Sequence, residues 1–296
     1  MALPLSTLFI TGVSALPEAT TPETVHISIY VQDFNEFSVA DGTIEANFYL
    51  IIASETNVSF DDLEIVNGRA TSVDTIYNNP NEKEYRINAI LTVDPDLRRF
   101  PFDRHVIPIE IEPRTMGEQE MILVIDTANS GLDPEANLPG WEFTSTSSAI
   151  KNKTYTIGEV PYSRVIFGFG IERDAASTVL KFFLPIMLIV VVALSSLLIK
   201  VSSRLGLNAS MFLAAVLIHW RVADSIPLVA YATFLDLFMM ITYATLVMAL
   251  VSGVLILKFS EAKDQDRIGL VNRWSIRIVP VLSISLYCLL FLSLLI

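Results

Sequence analysis

A single cysteine, Cys288, occurs in the 296 residues, so no disulfide can form within the chain. Whatever folds must rely on its own apolar core, and Cys288, in an apolar run, reads as a small hydrophobe. Histidine is nearly as scarce: His26, His105 and His219 fall in three unrelated stretches. There is no Ser-His-Asp set, paired acid site, His/Cys metal spacing or phosphate-cradling loop, so nothing points to an enzyme or to a resident cofactor. Excess positive charge is missing too. The net charge of −12 argues against a nucleic-acid partner. The opening stretch, MALPLSTLFITGVSALP, lacks the basic start of a secretory leader and is expected to be a retained N-terminal segment.

What the chain does have is divided unevenly. Residues 1–176 carry 11 Lys or Arg against 27 Asp or Glu, whereas residues 177–296 carry 9 against 5. The first part reads as an acidic, water-exposed domain and the second as a membrane domain. Between residues 24 and 173, short β-branched runs such as VHISIYVQDF, TIEANFYLIIAS, KEYRINAILTV, HVIPIEIEP and RVIFGFGIE alternate with turn signals such as ADG, VNG and NNPN. Strands without intervening helices must bury one face on another sheet, which predicts an antiparallel β-sandwich.

After residue 176 the pattern changes to apolar runs long enough to span a bilayer. TVLKFFLPIMLIVVVALSSLLI, LVAYATFLDLFMMITYATLVMALVSGVLIL and WSIRIVPVLSISLYCLLFLSLLI are three, and the more polar residues 205–226 make a fourth. The prediction is an all-α four-helix transmembrane bundle with both ends on one side. Lys200, Arg204, Lys258, Lys263, Arg267, Arg273 and Arg277 flank the short connections, so those connections are expected in the cytoplasm and the sandwich outside.

The polar second span needs an explanation, because ionisable side chains at bilayer depth are costly. Helical steps of three and four select Gly206, Ser210, Ala214 with Leu213 beside it, Leu217, Arg221 and Asp224. That stripe is small and polar at one end, apolar in the middle and charged at the other. Several copies turning it toward a shared aqueous axis would satisfy it, with Leu217 as a hydrophobic ring. A bundle hiding the stripe internally is the plainer alternative. His219 lies about 200° around from Leu217 and should face neighbouring helices. There it is either a satisfied buried histidine bonded to a carbonyl or a proton-sensing group. Arg221 either lines the pore or pairs with Asp224.

A sandwich followed by four spans, with a polar second one, resembles the pentameric ligand-gated ion channels, the Cys-loop receptor superfamily. Three stretches carry the resemblance: RRFPFDRH, ERDAASTVLKFFLP with Arg173 twelve residues before Pro185, and SIPLVAYATFLD. The missing cysteine pair around FPFD and the minimal connection between the last two spans resemble the bacterial branch. The family's Trp-x-Pro appears here as FDDLEIVNG, with Phe60 and no proline, which weakens the case for an ordinary aromatic agonist cage.

The resemblance implies a charge cluster that couples sandwich to pore, here Glu55, Asp103 and Arg173 together with Pro101, Phe102 and Pro227. It also implies an agonist seat under the loop KTYTIGEVPYSR, with Tyr155, Tyr162 and Arg164 available to an organic cation. The acidic outer domain could bind Ca²⁺ as a modulator, with Asp61, Asp62, Glu118 and Glu120 as candidate ligands. The expected protein is a homopentamer in a bacterial inner membrane, multi-pass, conducting ions passively and opened by an extracellular ligand, protons or Ca²⁺. The acidic vestibule favours cations, although Arg204, Arg221 and the missing acidic ring at Gly206–Leu207 argue the other way. The alternative is a non-conducting membrane sensor whose sandwich binds a ligand or partner.

Overall fold

A computed structural model describes residues 21–156, 158–224 and 226–295; the expected N-terminal segment lies outside them. Ten strands form the first part: β1 (Glu23–Ser38), β2 (Thr43–Ala53), β3 (Leu63–Ile65), β4 (Gly68–Asn78), β5 (Glu82–Thr92), β6 (Arg104–Pro113), β7 (Met121–Ile125), β8 (Gly131–Leu132), β9 (Trp141–Thr154) and β10 (Pro161–Arg173). They make two facing sheets, ordered β4-β5-β2-β1-β7 with β8 beside β1, and β3-β6-β10-β9. The sandwich is as predicted, and its pairings are antiparallel except that β7 and β8 both run parallel to β1.

Alternation explains the packing. In β2, Ile44, Ala46, Phe48, Leu50 and Ile52 all point inward and are buried, while the residues between them are not. Across the gap, Ile107, Ile109 and Ile111 of β6 and Val165, Phe167, Phe169 and Ile171 of β10 complete the core. Each large side chain removed from water this way stabilises the fold by about 1.5–3 kcal/mol. β4 was not legible as a strand because its residues are mostly exposed on both faces; only pairing to β5 defines it.

The helical part begins directly after β10, with α1 (Ala175–Thr178) and a π-helical turn at Val179–Phe183. α2 (Leu184–Ser196), α3 (Val201–Ala223), α4 (Phe234–Glu261) and α5 (Gln265–Leu292) follow, and four helical stretches are long and apolar enough to cross a membrane. Pro185 sits at the start of α2, directly after the π-helical turn. The sequence reading extended the third span back to Leu228, but α4 starts only at Phe234. The reason is a capping box: the Thr233 hydroxyl accepts from the Asp236 amide at 3.1 Å, and Asp236 accepts from the Thr233 amide at 2.8 Å. Thr242 with Tyr287 and Thr245 with Ser283, each pair 2.8 Å apart, join α4 to α5 by hydroxyl contacts inside the apolar bundle.

The two parts share one apolar cluster. Leu97 and Phe100, from the loop between β5 and β6, are buried with Phe183, Ile186, Phe234, Phe238 and Met239 of the helices. Val39, in the β1–β2 turn, packs on the same cluster. That turn is held close to the loop by Gly42, whose carbonyl accepts from the Val93 amide at 2.8 Å; its φ of 62° and the nearby Val93 carbonyl leave no room for a Cβ.

Candidate functional site

The second span divides cleanly into two faces. Arg204, Asn208, Ala215 and Val222 are buried, and Met211 and Ile218 pack on the same side against the other helices. Gly206, Ser210, Leu213, Leu217, Arg221 and Asp224 lie on the opposite face and are exposed, Leu213 at 60% and Leu217 at 55%. Ala214, at the stripe's edge, is half-buried. Thus the stripe selected by helical spacing is not hidden inside the four-helix bundle. At the sandwich end, Leu217, Arg221 and Asp224 border a cavity of about 650 Å³ shared with Lys181, Phe182 and Pro185. Arg221 and Asp224 form no ion pair with each other, which leaves both charges facing solvent in the single chain.

Arg204 corrects one expectation. It is 1% exposed, so it is neither a loop charge nor a pore charge. Its guanidinium donates to the carbonyls of Ser196 (3.2 Å) and Leu197 at the end of α2, to Asn272 Oδ1 of α5 at 3.2 Å, and to the Ser252 hydroxyl of α4 at 3.5 Å. The Ser196 carbonyl also accepts from the Ile199 amide at 3.2 Å, so the cation adds to the capping of the α2 end and ties α2, α4 and α5 to α3. Its weight against cation conduction therefore falls away.

His219 faces α4, as its angular position required. Its partners are side chains and not a backbone carbonyl: Nδ1 lies 3.0 Å from the Tyr243 hydroxyl and Nε2 3.5 Å from Asp236 Oδ1. Asp236 is the same carboxylate that caps α4. A titratable ring therefore links the second span to the first turn of the third.

At the junction, Arg173 at the end of β10 holds Asp103 with two nitrogens, Nε to Oδ1 at 2.7 Å and Nη2 to Oδ2 at 2.9 Å. Its guanidinium also stacks 4.2 Å above Trp141 and 5.1 Å from Phe100. Burial alone would raise the Asp103 carboxyl, but hydrogen bonds and charge from Arg173 and His105 overcome it and hold it at about 2. Pro101 precedes Phe102, whose ring stacks on Phe183 at 5.5 Å and meets Phe234 edge-on at 5.5 Å. The loop also bonds directly to the helices: the Leu97 amide donates to the Tyr231 hydroxyl (2.9 Å), and the Phe234 amide donates to the Arg98 carbonyl (2.9 Å). These bonds land on Tyr231 and the start of α4, past Pro227, which is half-buried in the preceding loop.

Glu55 does not join this cluster. β1 and β2 pair from Ser38↔Thr43 at the helix end to His26↔Ala53 at the other, which sets Glu55 roughly 30 Å from the junction by strand rise. It is exposed at that far end. The second partner of Asp103 is instead His105, whose Nε2 lies 2.6 Å from Oδ2. The spacing Asp-x-His on a strand start was the available signal, since positions two apart share a face.

Tyr155, Tyr162 and Arg164 do come together. The two rings meet edge-on at 5.8 Å, and Arg164 Nη2 donates to the Tyr155 hydroxyl at 2.9 Å. Two carboxylates that sequence reading passed over complete the group: Arg164 reaches Glu110 at 2.6 Å and Glu112 at 2.9 Å, and the Tyr155 hydroxyl donates to Glu112. The I-E-I-E alternation of β6 was the clue, because it puts both acids on one face. Donation to Glu112, with burial second, pushes the Tyr155 phenol above its ordinary range. Lys153 already occupies the Tyr155 face at 6.0 Å.

The four proposed calcium ligands are not gathered. Asp62 caps a 3₁₀ turn through Ser59, Glu118 accepts from Asn152 at 2.6 Å, and Glu120 accepts from the Gly117 amide at 3.3 Å. Asp61, exposed beside Asp62, belongs to the same turn, far in sequence from the other pair. Among the described residues, no group of three or more His, Cys, Asp or Glu is placed to hold a metal ion.

No protein-family model matches the chain. A proton-gated ion channel of Gloeobacter violaceus is 21% identical over 150 residues, which cover 50% of this chain and 42% of that protein. A gamma-aminobutyric acid receptor subunit beta of Caenorhabditis elegans is 22% identical over 196 residues, 64% of this chain and 35% of that one. A gamma-aminobutyric acid receptor subunit rho-3 of Rattus norvegicus is 26% identical over 151 residues, 50% and 32% respectively. The chain thus matches less than half the length of each of these curated relatives. All are channels or receptor subunits and none is an enzyme. Together with the β-sandwich and the four long apolar helices, this similarity supports the pentameric ligand-gated ion channel superfamily, at low identity.

Proposed function

We propose that the chain is one subunit of a homopentameric, ligand-gated ion channel whose pore is lined by the free face of α3. The observation that carries this reading is the exposure of Gly206, Ser210, Leu213, Leu217, Arg221 and Asp224 on one face, opposite the face that packs in the bundle. A lone membrane-embedded chain would leave polar groups of that stripe against lipid; a ring of copies puts them in water. The acidic sandwich faces outside, and the basic connections face the cytoplasm of a bacterial inner membrane. Cations are the favoured permeant ions, because residues 1–176 concentrate negative charge above the pore and Arg204 is withdrawn from it.

In this reading an agonist acts at the Tyr155–Tyr162–Arg164 group, where two carboxylates face one guanidinium. Protons are the second class of trigger, through His219 between Tyr243 and Asp236. Calcium enters only as a diffuse modulator drawn by the acidic domain. The signal passes from the sandwich through residues 97–103 to Tyr231 and α4, and from there to α3. Reversal potentials of the reconstituted protein in a salt gradient test the proposal. Cation preference is expected, with conductance or selectivity moving in Arg221→Ala. Absence of current under pH, Ca²⁺ and small organic cation changes would instead favour a non-conducting sensor.

A further inference from the structure

His105 is nearly sealed: its side chain is 3% exposed, and that of Asp103 is 0%. The ring packs between Phe37 of β1, 5.9 Å away edge-on, and Trp141 at the start of β9, 5.3 Å away. Trp141 is also the ring under Arg173, so the imidazole and the guanidinium share one aromatic wall and one carboxylate. Asp103 Oδ2 receives both, His105 Nε2 at 2.6 Å and Arg173 Nη2 at 2.9 Å. The charged groups facing the ring are therefore Asp103 from the β5–β6 loop and Arg173 from β10. Arg104 and Glu172, the neighbours on these strands, pair with each other at 2.9 Å in an exposed position. β1 contributes Phe37 and β9 contributes Trp141, neither of them titratable in this range.

From this geometry we infer that His105 is a positioning residue of the junction: it orients the Asp103 carboxylate for the two-pronged grip on Arg173, and its protonation loosens that grip. The neutral ring donates its one Nε2 proton to Oδ2 and leaves the cluster with one anion and one cation. When the ring takes a proton from the aqueous phase, the buried cluster holds two cations competing for one carboxylate. The added charge strengthens the histidine's own bond and weakens that of Arg173, since both draw on Oδ2 and repel each other. Histidine is the side chain whose ordinary titration lies between about pH 5 and 8. The consequence for gating rests on the channel reading above; the consequence for the junction does not.

The test is hydrogen–deuterium exchange on the full-length protein in nanodiscs, with protection corrected for intrinsic exchange. The reporter is the Arg173 amide, which bonds the Asp103 carbonyl at 3.2 Å. Wild type should lose protection in residues 97–103 and at Arg173 as pH falls from about 8 to 5. His105→Gln, which keeps a donor but cannot titrate, should hold protection and lose its pH dependence. His105→Leu should be roughly tenfold less protected at every pH, the size expected for a lost hydrogen bond to a charged group. If the three proteins share one pH profile, the inference is wrong, whatever the channel does. If His105→Leu does not fold, the wild-type and His105→Gln comparison still decides. Current recordings run in parallel separate the two claims: silence in the wild type counts against the channel and leaves the exchange result standing.

Discussion

The Leu97 amide donates to the Tyr231 hydroxyl at 2.9 Å, joining a sandwich loop to the segment between the second and third spans across 134 residues of sequence. Arg98 lies 4.9 Å above the same ring, so Tyr231 is held from two adjacent residues. Tyr231→Phe removes only the hydroxyl and keeps the ring under Arg98. It should cost about 1 kcal/mol of stability and displace the activation midpoint several-fold without changing reversal potential. An unchanged midpoint would show that this bond does not transmit the signal.

The Asp103 carboxyl is held at about 2, below its unfolded value near 3.9. A carboxyl depressed by folding stabilises above the unfolded value, and that contribution disappears as pH falls through the folded one. The window is therefore about pH 4 down to about 2, with about 2 kcal/mol at stake. Melting temperatures across that window should fall more steeply in wild type than in Asp103→Asn. At neutral pH the variant should melt well below wild type, because Arg173 keeps its charge and loses its anion. Parallel acid profiles would contradict the assignment.

Arg204 should matter for stability and not for permeation. Arg204→Lys keeps the charge but cannot fork between the carbonyls of Ser196 and Leu197 while reaching Asn272 and Ser252. The expected result is a loss of about 2 kcal/mol with reversal potential unchanged. A shifted reversal potential would return Arg204 to the pore.

His219→Gln tests the proton-trigger reading. The amide reaches toward Tyr243 but carries no titratable proton, so acid activation should flatten while assembly persists. Acid activation of wild-type size in the variant would move the trigger elsewhere.

How far the residues alone led depends on which force dominates locally. The α3 stripe was readable because helical spacing and polarity agree along the whole span, and the sandwich because β2, β5, β6 and β10 alternate. Glu55 was misplaced because a carboxylate in a turn after a strand looks alike at either end; only the β1–β2 register tells them apart. Arg204 was misread because positive charge beside a span usually means water, whereas here the carbonyls at the end of α2 and side-chain oxygens of α4 and α5 draw it inward. Glu110 and Glu112 escaped notice because their partner Arg164 is more than fifty residues away and meets them only across two paired strands.

The proposed pore depends on which face of α3 meets water. The direct measurement is block by a charged thiol reagent after cysteine substitution, in a background with Cys288, exposed on α5, changed to Ser. Current through Leu217→Cys should be blocked, while Ala215→Cys, on the face packed in the bundle, should be untouched. Block at Ala215→Cys with none at Leu217→Cys would contradict the pore assignment outright.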